Sequence, residues 1–360
     1  MSRRSTALVV GVAVAALAAG CGSSHKKAAP ATTTTSTTLA TTTSTAPATT
    51  TTLKPPPVYP LTGLAASSAA AADHPALVVK IDNVVGALPQ TGLGNADVVY
   101  EEMVEGGVTR LAAVFQEGGA PVLGPVRSGR TTDIAIVSDL NHPLFGFSGA
   151  NPIFLAEIRA APIVDVDAER ESSTQYFRMG PHYAPHNLYT STAALYGLDP
   201  GAKNAPPALF SFRALGSAAT GAGAQPVTHA ALSFPAASVT WDWSAKGGVW
   251  LRGQNGAADL DSTGAQLAAG NVVIQQVPYT TDGYATGEGL PPAPIPKGLL
   301  VGTGTAWILT GGQMITATWS RPTISDVTTY TDSAHHPVLL EPGNTWVELL
   351  PTGSTPAFTP

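Results

Sequence analysis

The run Ala76-Leu77-Val78-Val79-Lys80-Ile81-Asp82 is a short apolar stretch of strand length, closed by Asp82 and Asn83. Asp97-Val98-Val99-Tyr100 and the segment from Thr109 to Gln116 read as further strands of the same kind. Thr131 to Leu140 then takes helical spacing at Ile134, Val137 and Leu140, with Thr and Asp at its start. His142 to Ser148 returns to a strand pattern, and Pro152 to Arg159 reads as a helix with proline in its first turn. Alternation of strand and helix predicts a layered, mixed αβ N-terminal domain over residues 58–215.

Beyond it the pattern changes. Gly216 to Pro226, mostly Gly, Ala, Ser and Thr, reads as a linker. Six short strand-like runs follow, separated by Gly, Pro and Asp turns: Ser238–Trp243, Val249–Gln254, Asn271–Pro278, Thr305–Leu309, Met314–Trp319 and Thr345–Leu350. All six tryptophans lie in this half, at 241, 243, 250, 307, 319 and 346. Alternation places Trp241 and Trp243 on one face. Core packing is their expected role, with a carbohydrate-stacking platform as the alternative. The predicted fold class is α+β, with residues 226–355 forming a β-rich C-terminal domain.

The N-terminus reads as an address. Arg3 and Arg4 precede an apolar stretch, Ala7 to Leu17, too short to span a bilayer, and Ala18-Ala19-Gly20 leads into the only cysteine, Cys21. Residues 1–20 therefore resemble a lipoprotein signal peptide, with Cys21 as the acylated first residue of the mature chain. Two acyl chains would hold the protein stably on the outer face of the bacterial cell membrane. From there to residue 57 the chain is dominated by Thr, Ser, Ala and Pro, with no apolar periodicity to bury, so 21–57 is expected to be a disordered stalk.

Charge narrows the partners. Only 12% of the 360 residues are charged, against about a quarter in an average domain, which excludes coiled coils and salt-bridge-laced helices. The body keeps 13 of the 18 basic residues and all 24 acidic ones, for a net charge of −11. With no block of Lys or Arg, nucleic acid is not an expected partner. A lone cysteine allows no intramolecular disulfide or cysteine zinc site, and neither a metal nor a cofactor is expected. Any anionic ligand would need a local arginine site.

Several ordered motifs resemble one family. They are Pro60-Leu-Thr-Gly-Leu64, Val79-Lys-Ile-Asp-Asn83, Pro89-Gln-Thr-Gly-Leu93, Ala96-Asp-Val-Val-Tyr-Glu101, Val104-Glu-Gly-Gly-Val-Thr-Arg110, Gly124-Pro-Val-Arg-Ser128 and Ala184-Pro-His-Asn-Leu-Tyr189. In the second half they are Trp250-Leu-Arg252, Asn271-Val-Val-Ile-Gln275, Gly302-Thr-Gly304 and Pro342-Gly-Asn-Thr-Trp346. Together they resemble the YerB-like family of bacterial lipoproteins, over essentially everything after residue 58. The resemblance implies a two-part αβ fold on an exported, lipid-anchored protein, and no particular reaction.

The charged residues cluster. Asp97 to Arg130 holds eight in 34 residues, twice the average density of the chain. Glu101, Glu105 and Arg110 flank the turn Gly106-Gly107, and Asp82 and Asn83 end a neighbouring strand, so these residues are expected to line a polar cleft. Arg127 and Arg130 are candidates for bidentate binding of a phosphate or carboxylate, with Ser128 and the start of the next helix adding donors. The alternative is a structural network in which Arg110 or Arg127 pairs with Glu101 or Glu105. His186 could serve as a general base, and Asn187 as the N-cap of a following helix. Pro185 disfavours a helix that would bring His182 and His186 to one metal. The first functional expectation is a tethered protein binding or organising a cell-envelope component. The second is a hydrolase or transferase acting on an envelope polymer, with Glu101 or Glu105 as acid or base. The third is a module for protein contacts through the β-rich half.

Overall fold

The computed structural model describes residues 56–171, 174–199, 201, 203–285 and 293–360. The chain divides into two units, Met1–Leu53 and Lys54–Pro360, and only the second is described below. The expected signal peptide, Cys21 and all but the end of the stalk fall outside the described residues.

Strand outweighs helix, at 40% against 11%. The strands that matter for the site are β1 (Leu77–Asp82), β2 (Val98–Met103), β3 (Thr109–Phe115), β4 (Leu144–Gly146), β5 (Val164–Asp165), β6 (His229–Phe234), β7 (Ala237–Ser244), β8 (Val249–Gln254), β9 (Asn271–Val277), β10 (Gly302–Thr310), β11 (Gln313–Arg321), β12 (Thr329–Thr331), β13 (Thr345–Pro351) and β14 (Ala357–Thr359). Helices run over Thr131–Val137, Pro152–Arg159 and Thr192–Tyr196. Ten strands form the path of an eleven-stranded sheet, in the order β12-β11-β10-β9-β13-β2-β3-β1-β4-β5.

That order joins the two halves of the sequence in one sheet. β13 lies parallel to β2, with Val98 opposite Thr345 and Glu101 opposite Glu348, and it also lies parallel to β9. β2, β3 and β1 form an antiparallel run, in which Asp82 stands opposite Arg110. A second, six-stranded sheet is built around β6, β7 and β8, with β14 on the far side of β6. The stretch read as a linker contributes Gln225–Pro226, which pairs with β11 at the large sheet.

The large sheet is covered on both faces, which is why β1 and β3 are buried at every residue and read as nearly unbroken apolar runs. One face packs Leu77, Val79, Val99, Leu111, Val272 and Trp346 against Trp241 and Trp250 of the smaller sheet. The other packs Val78, Ala112, Val114, Val273 and Val347 against Ile136, Phe154 and Ile158 of the helices. Trp241, Trp250, Trp319 and Trp346 are buried, and the Trp243 ring packs, tilted, 5.1 Å from that of Trp250. The tryptophans therefore serve the core, and none of these five forms an open stacking platform.

Candidate functional site

Alternation along β2 sends adjacent acids to opposite faces of the sheet. Glu101 points with Val99 toward the smaller sheet, and Glu102 points with Val98 and Tyr100 toward the helices. The acidic cluster of the sequence is therefore divided, and Glu101 does not share a cleft with Glu105.

Toward the smaller sheet, Glu101 is completely buried and accepts a 2.6 Å hydrogen bond from Nη2 of Arg252 in β8. The other face of that guanidinium bonds Asp259 and the Gln254 amide oxygen, and the group lies 4.8 Å over the Trp346 ring. Asn83 Nδ2 donates to Glu101 Oε1 at 3.2 Å and to Thr109 Oγ1 at 2.8 Å. Glu348, beside Glu101 in the sheet, accepts from Trp241 Nε1 at 2.9 Å. Burial, and then the charge of Glu101, push Glu348 well above the usual carboxylate range, so its acid form is favoured. The expected pairing of Glu101 with Arg110 or Arg127 is corrected here: its partner is Arg252, 151 residues away.

Asp82, Arg110, Arg127, Arg130, Glu105 and His186 gather on the helix side, at the strand ends. Segment 124–127 lies between β1 and the strand after His186. Asp82 N–H donates to the Pro125 carbonyl, Arg127 N–H to that of Lys80, and Val126 N–H to that of Leu188. This lacing brings Arg127 and His186 to the same carboxylate. Asp82 is buried, with Oδ2 2.7 Å from His186 Nδ1 and 2.9 Å from Arg127 Nε. The Arg127 N–H is not aimed at that oxygen, so the contact is an ion pair rather than an aligned hydrogen bond. Arg127 and His186 keep side-chain exposures of 23% and 29%, which opens this end of the cluster to solvent.

Arg130 grips Glu105 through Nε and Nη2, at 2.9 and 2.8 Å from Oε2. Burial pushes the Glu105 carboxyl up, but the charge and hydrogen bonds of Arg130 more than offset it and leave the group lowered. Gly106 and Gly107 make the turn that carries Glu105, with φ near +76° and +75°. Arg110 is 5% exposed, and Nη1 donates to the Ser128 carbonyl at 3.3 Å while Nε finds no partner among the described residues. Burial first, and then the nearby charges of Arg130 and Arg127, lower Arg110 to about 10. Ser128 thus offers the cluster its carbonyl, which Arg130 also approaches. Three guanidinium groups face two carboxylates and an imidazole, a local surplus of positive charge on an acidic body.

Asn187 does not cap a helix. Its Oδ1 accepts from Arg178 at 2.7 Å, and the next helix, Thr192–Tyr196, is capped by Ser191, whose hydroxyl accepts from Ala194 N–H. Asn83 joins the buried Glu101 network instead of the Arg cluster. No group of three or more His, Cys, Asp or Glu among the described residues could hold a metal. Sequence reasoning missed Arg252, Asp259 and Glu348, and it also missed Lys80 and Asp133, which meet Glu102 on the helix face. The signal for Lys80 and Arg252 was present: each is a lone cation inside an apolar strand, where burial demands a partner.

The acid–base reading required an unpaired carboxylate facing an opening. Glu101 is saturated by Arg252 and Asn83, and Glu105 by Arg130, so that geometry gives it no support.

The two regions match the N-terminal and C-terminal domains of DUF3048, a protein family of unknown function, over residues 61–204 and 230–347. Fold and sequence together thus define a two-domain class without an assigned activity. The chain belongs to this YerB-like family. One relative, named "Putative lipoprotein YerB", of Bacillus subtilis (strain 168), is 31% identical over 132 residues; the match spans 37% of this chain and 39% of that protein. The crystal structure of the YerB protein from Bacillus subtilis is similar in fold, with a TM-score of 0.68 at 20% identity, covering 83% of this chain and 99% of that one.

Proposed function

We propose that the protein is exported, anchored through acylated Cys21 on the outer face of the cell membrane, and binds an envelope component through an anionic group held at Arg127. The observation that carries this is the convergence of Arg110, Arg127 and Arg130, whose crowding and burial lower Arg110 to about 10. A phosphate or carboxylate between Arg127 and His186 would relieve that crowding and receive charge-assisted hydrogen bonds. The body carries net negative charge, so general attraction would not draw such a ligand. Recognition falls to this one place. Asp82 fixes the imidazole through Nδ1, so that His186 in its imidazolium form would donate Nε2–H to the anionic ligand.

Calorimetric titration of the full chain, with Cys21→Ser for solubility, tests this against phosphate-bearing and neutral wall fragments. Binding of the phosphate-bearing fragment alone, weakened about tenfold or more by Arg127→Ala and by added salt, supports the reading. Equal affinity for both fragments, or binding indifferent to Arg127→Ala, contradicts it.

A further inference from the structure

Lys80, Glu102 and Asp133 form a triad with no exposure to solvent at any of the three side chains. Lys80 in β1 and Glu102 in β2 both point to the helix face, on either side of β3 and its small residue Ala112. Asp133 descends onto them from the first turn of helix Thr131–Val137. Lys80 Nζ lies 2.7 Å from Asp133 Oδ1 and in direct contact with Glu102 Oε1. Asp133 Oδ2 points away from the lysine and accepts the Arg130 backbone N–H at 2.7 Å. Glu102 Oε2 is buried, and among the described residues no well-aligned hydrogen bond reaches it.

From this geometry we infer that Lys80 and Asp133 are joined by an intramolecular isopeptide bond, formed autocatalytically with Glu102 as the acid–base residue. A primary amine, a carboxyl carbon and a second carboxyl group in one dry pocket are the reactants and catalyst of amide formation. The proton of the Lys80 ammonium passes to the Asp133 carboxylate, giving a neutral amine and a neutral acid. Nζ attacks Cγ, and the developing charge on Oδ2 rests on the Arg130 N–H, which is already in place. Glu102 takes a proton from the nitrogen and returns one to Oδ1, whose bond to Cγ breaks. The products are a secondary amide and one water, and Glu102 ends as it began.

Burial favours the reaction twice. It replaces a desolvated cation and anion with a neutral amide, removing the cost of holding charge away from water. It also raises Glu102 to about 6, with Asp133 adding to the rise and Lys80 opposing it, which places the group in the range suited to proton transfer near neutrality. The fixed placement of Nζ against the Asp133 carboxyl supplies the high effective concentration that lets the amide form without an external enzyme or activated intermediate. The bond would tie the first strand of the sheet to the helix that follows Arg130, in a chain whose single cysteine can form no disulfide of its own.

Tryptic mass spectrometry of the full mature chain, isolated folded from the envelope, tests the inference. The expected result is that Lys80 resists cleavage. The peptide from Thr131 to Arg159 should appear only as a branch on the Lys80 peptide, one water lighter than the sum of the two. Glu102→Gln should slow branching on the order of a hundredfold, and Lys80→Met should abolish it. Free, unmodified Thr131–Arg159 peptide and normal cleavage at Lys80 in the folded wild-type chain would overturn the proposal, leaving the triad as a buried ion pair. That wild-type measurement stands whether or not either variant folds.

Discussion

Replacing Arg252 with alanine isolates a cation buried between the two sheets. The guanidinium is fully buried, pairs with Glu101 at 2.6 Å and with Asp259, bonds Gln254 at 2.6 Å and lies 4.8 Å over Trp346. Removing one partner of a buried ion pair costs about 3–5 kcal/mol, because the remaining charge has no compensation. The lost hydrogen bond to Gln254 and the contact with Trp346 each add about 1 kcal/mol, not independently. A loss near 5 kcal/mol is a large share of the roughly 5–15 kcal/mol that holds a typical domain together. The assay is equilibrium urea unfolding of the Cys21→Ser chain, followed by the fluorescence of its buried tryptophans. The pH dependence separates charge from packing. Burial already raises Asp259 against the opposing charge of Arg252, so without Arg252 its acid form is favoured further and its folded pKa lies above the unfolded one. Stability then falls as pH rises through that window, and the deficit should be larger at pH 8 than at pH 5. A deficit below about 1 kcal/mol, or one equal at both pH values, would refute the electrostatic account.

Three further outcomes are expected. Burial raises Asp139 to about 7 despite Arg321 at 3.3 Å, so its folded pKa exceeds the unfolded value and its contribution weakens as pH climbs from about 4 to 7. Asp139→Asn should therefore flatten the stability profile over that range in thermal melts, and an unchanged slope would count against this assignment. Gly107 has φ near +75° and a built Cβ would meet Pro235 at 2.7 Å, so Gly107→Ala should cost about 1–3 kcal/mol by urea unfolding, while a neutral result would mean the turn can relax. Cys21→Ser should move the protein from the membrane fraction to the soluble one on cell fractionation, and unchanged retention would argue against acylation.

The strands were legible because burial on both faces leaves an unmistakable apolar run. Val249–Gln254 and the helix Pro152–Arg159 fall where the pattern places them, and β1 starts one residue inside its predicted run. Partnership was not legible. Nothing local tells β13 to lie beside β2, so the sheet that joins the two halves cannot be read from either one. The same blindness covers the site. Glu101 and Glu102 look like one acidic patch in sequence, yet a strand turns every second side chain away, and each acid finds a cation from another element. Asp82, Arg127 and His186 do converge, because all three sit at the ends or edges of strands whose order the backbone lacing of 124–127 fixes. Lys80 and Arg252 carry a legible signal of their own, since a cation within a buried run requires an anion that only the tertiary fold supplies.

The claim that an anionic ligand docks between Arg127 and His186 is tested most directly by following the imidazole signals of the eight histidines by NMR. A phosphate-bearing wall fragment would be titrated into the Cys21→Ser chain. The account predicts that the His186 resonance shifts saturably, that His335 and His336 stay in place, and that Arg127→Ala removes the shift. Saturable binding with an unmoved His186 would contradict it.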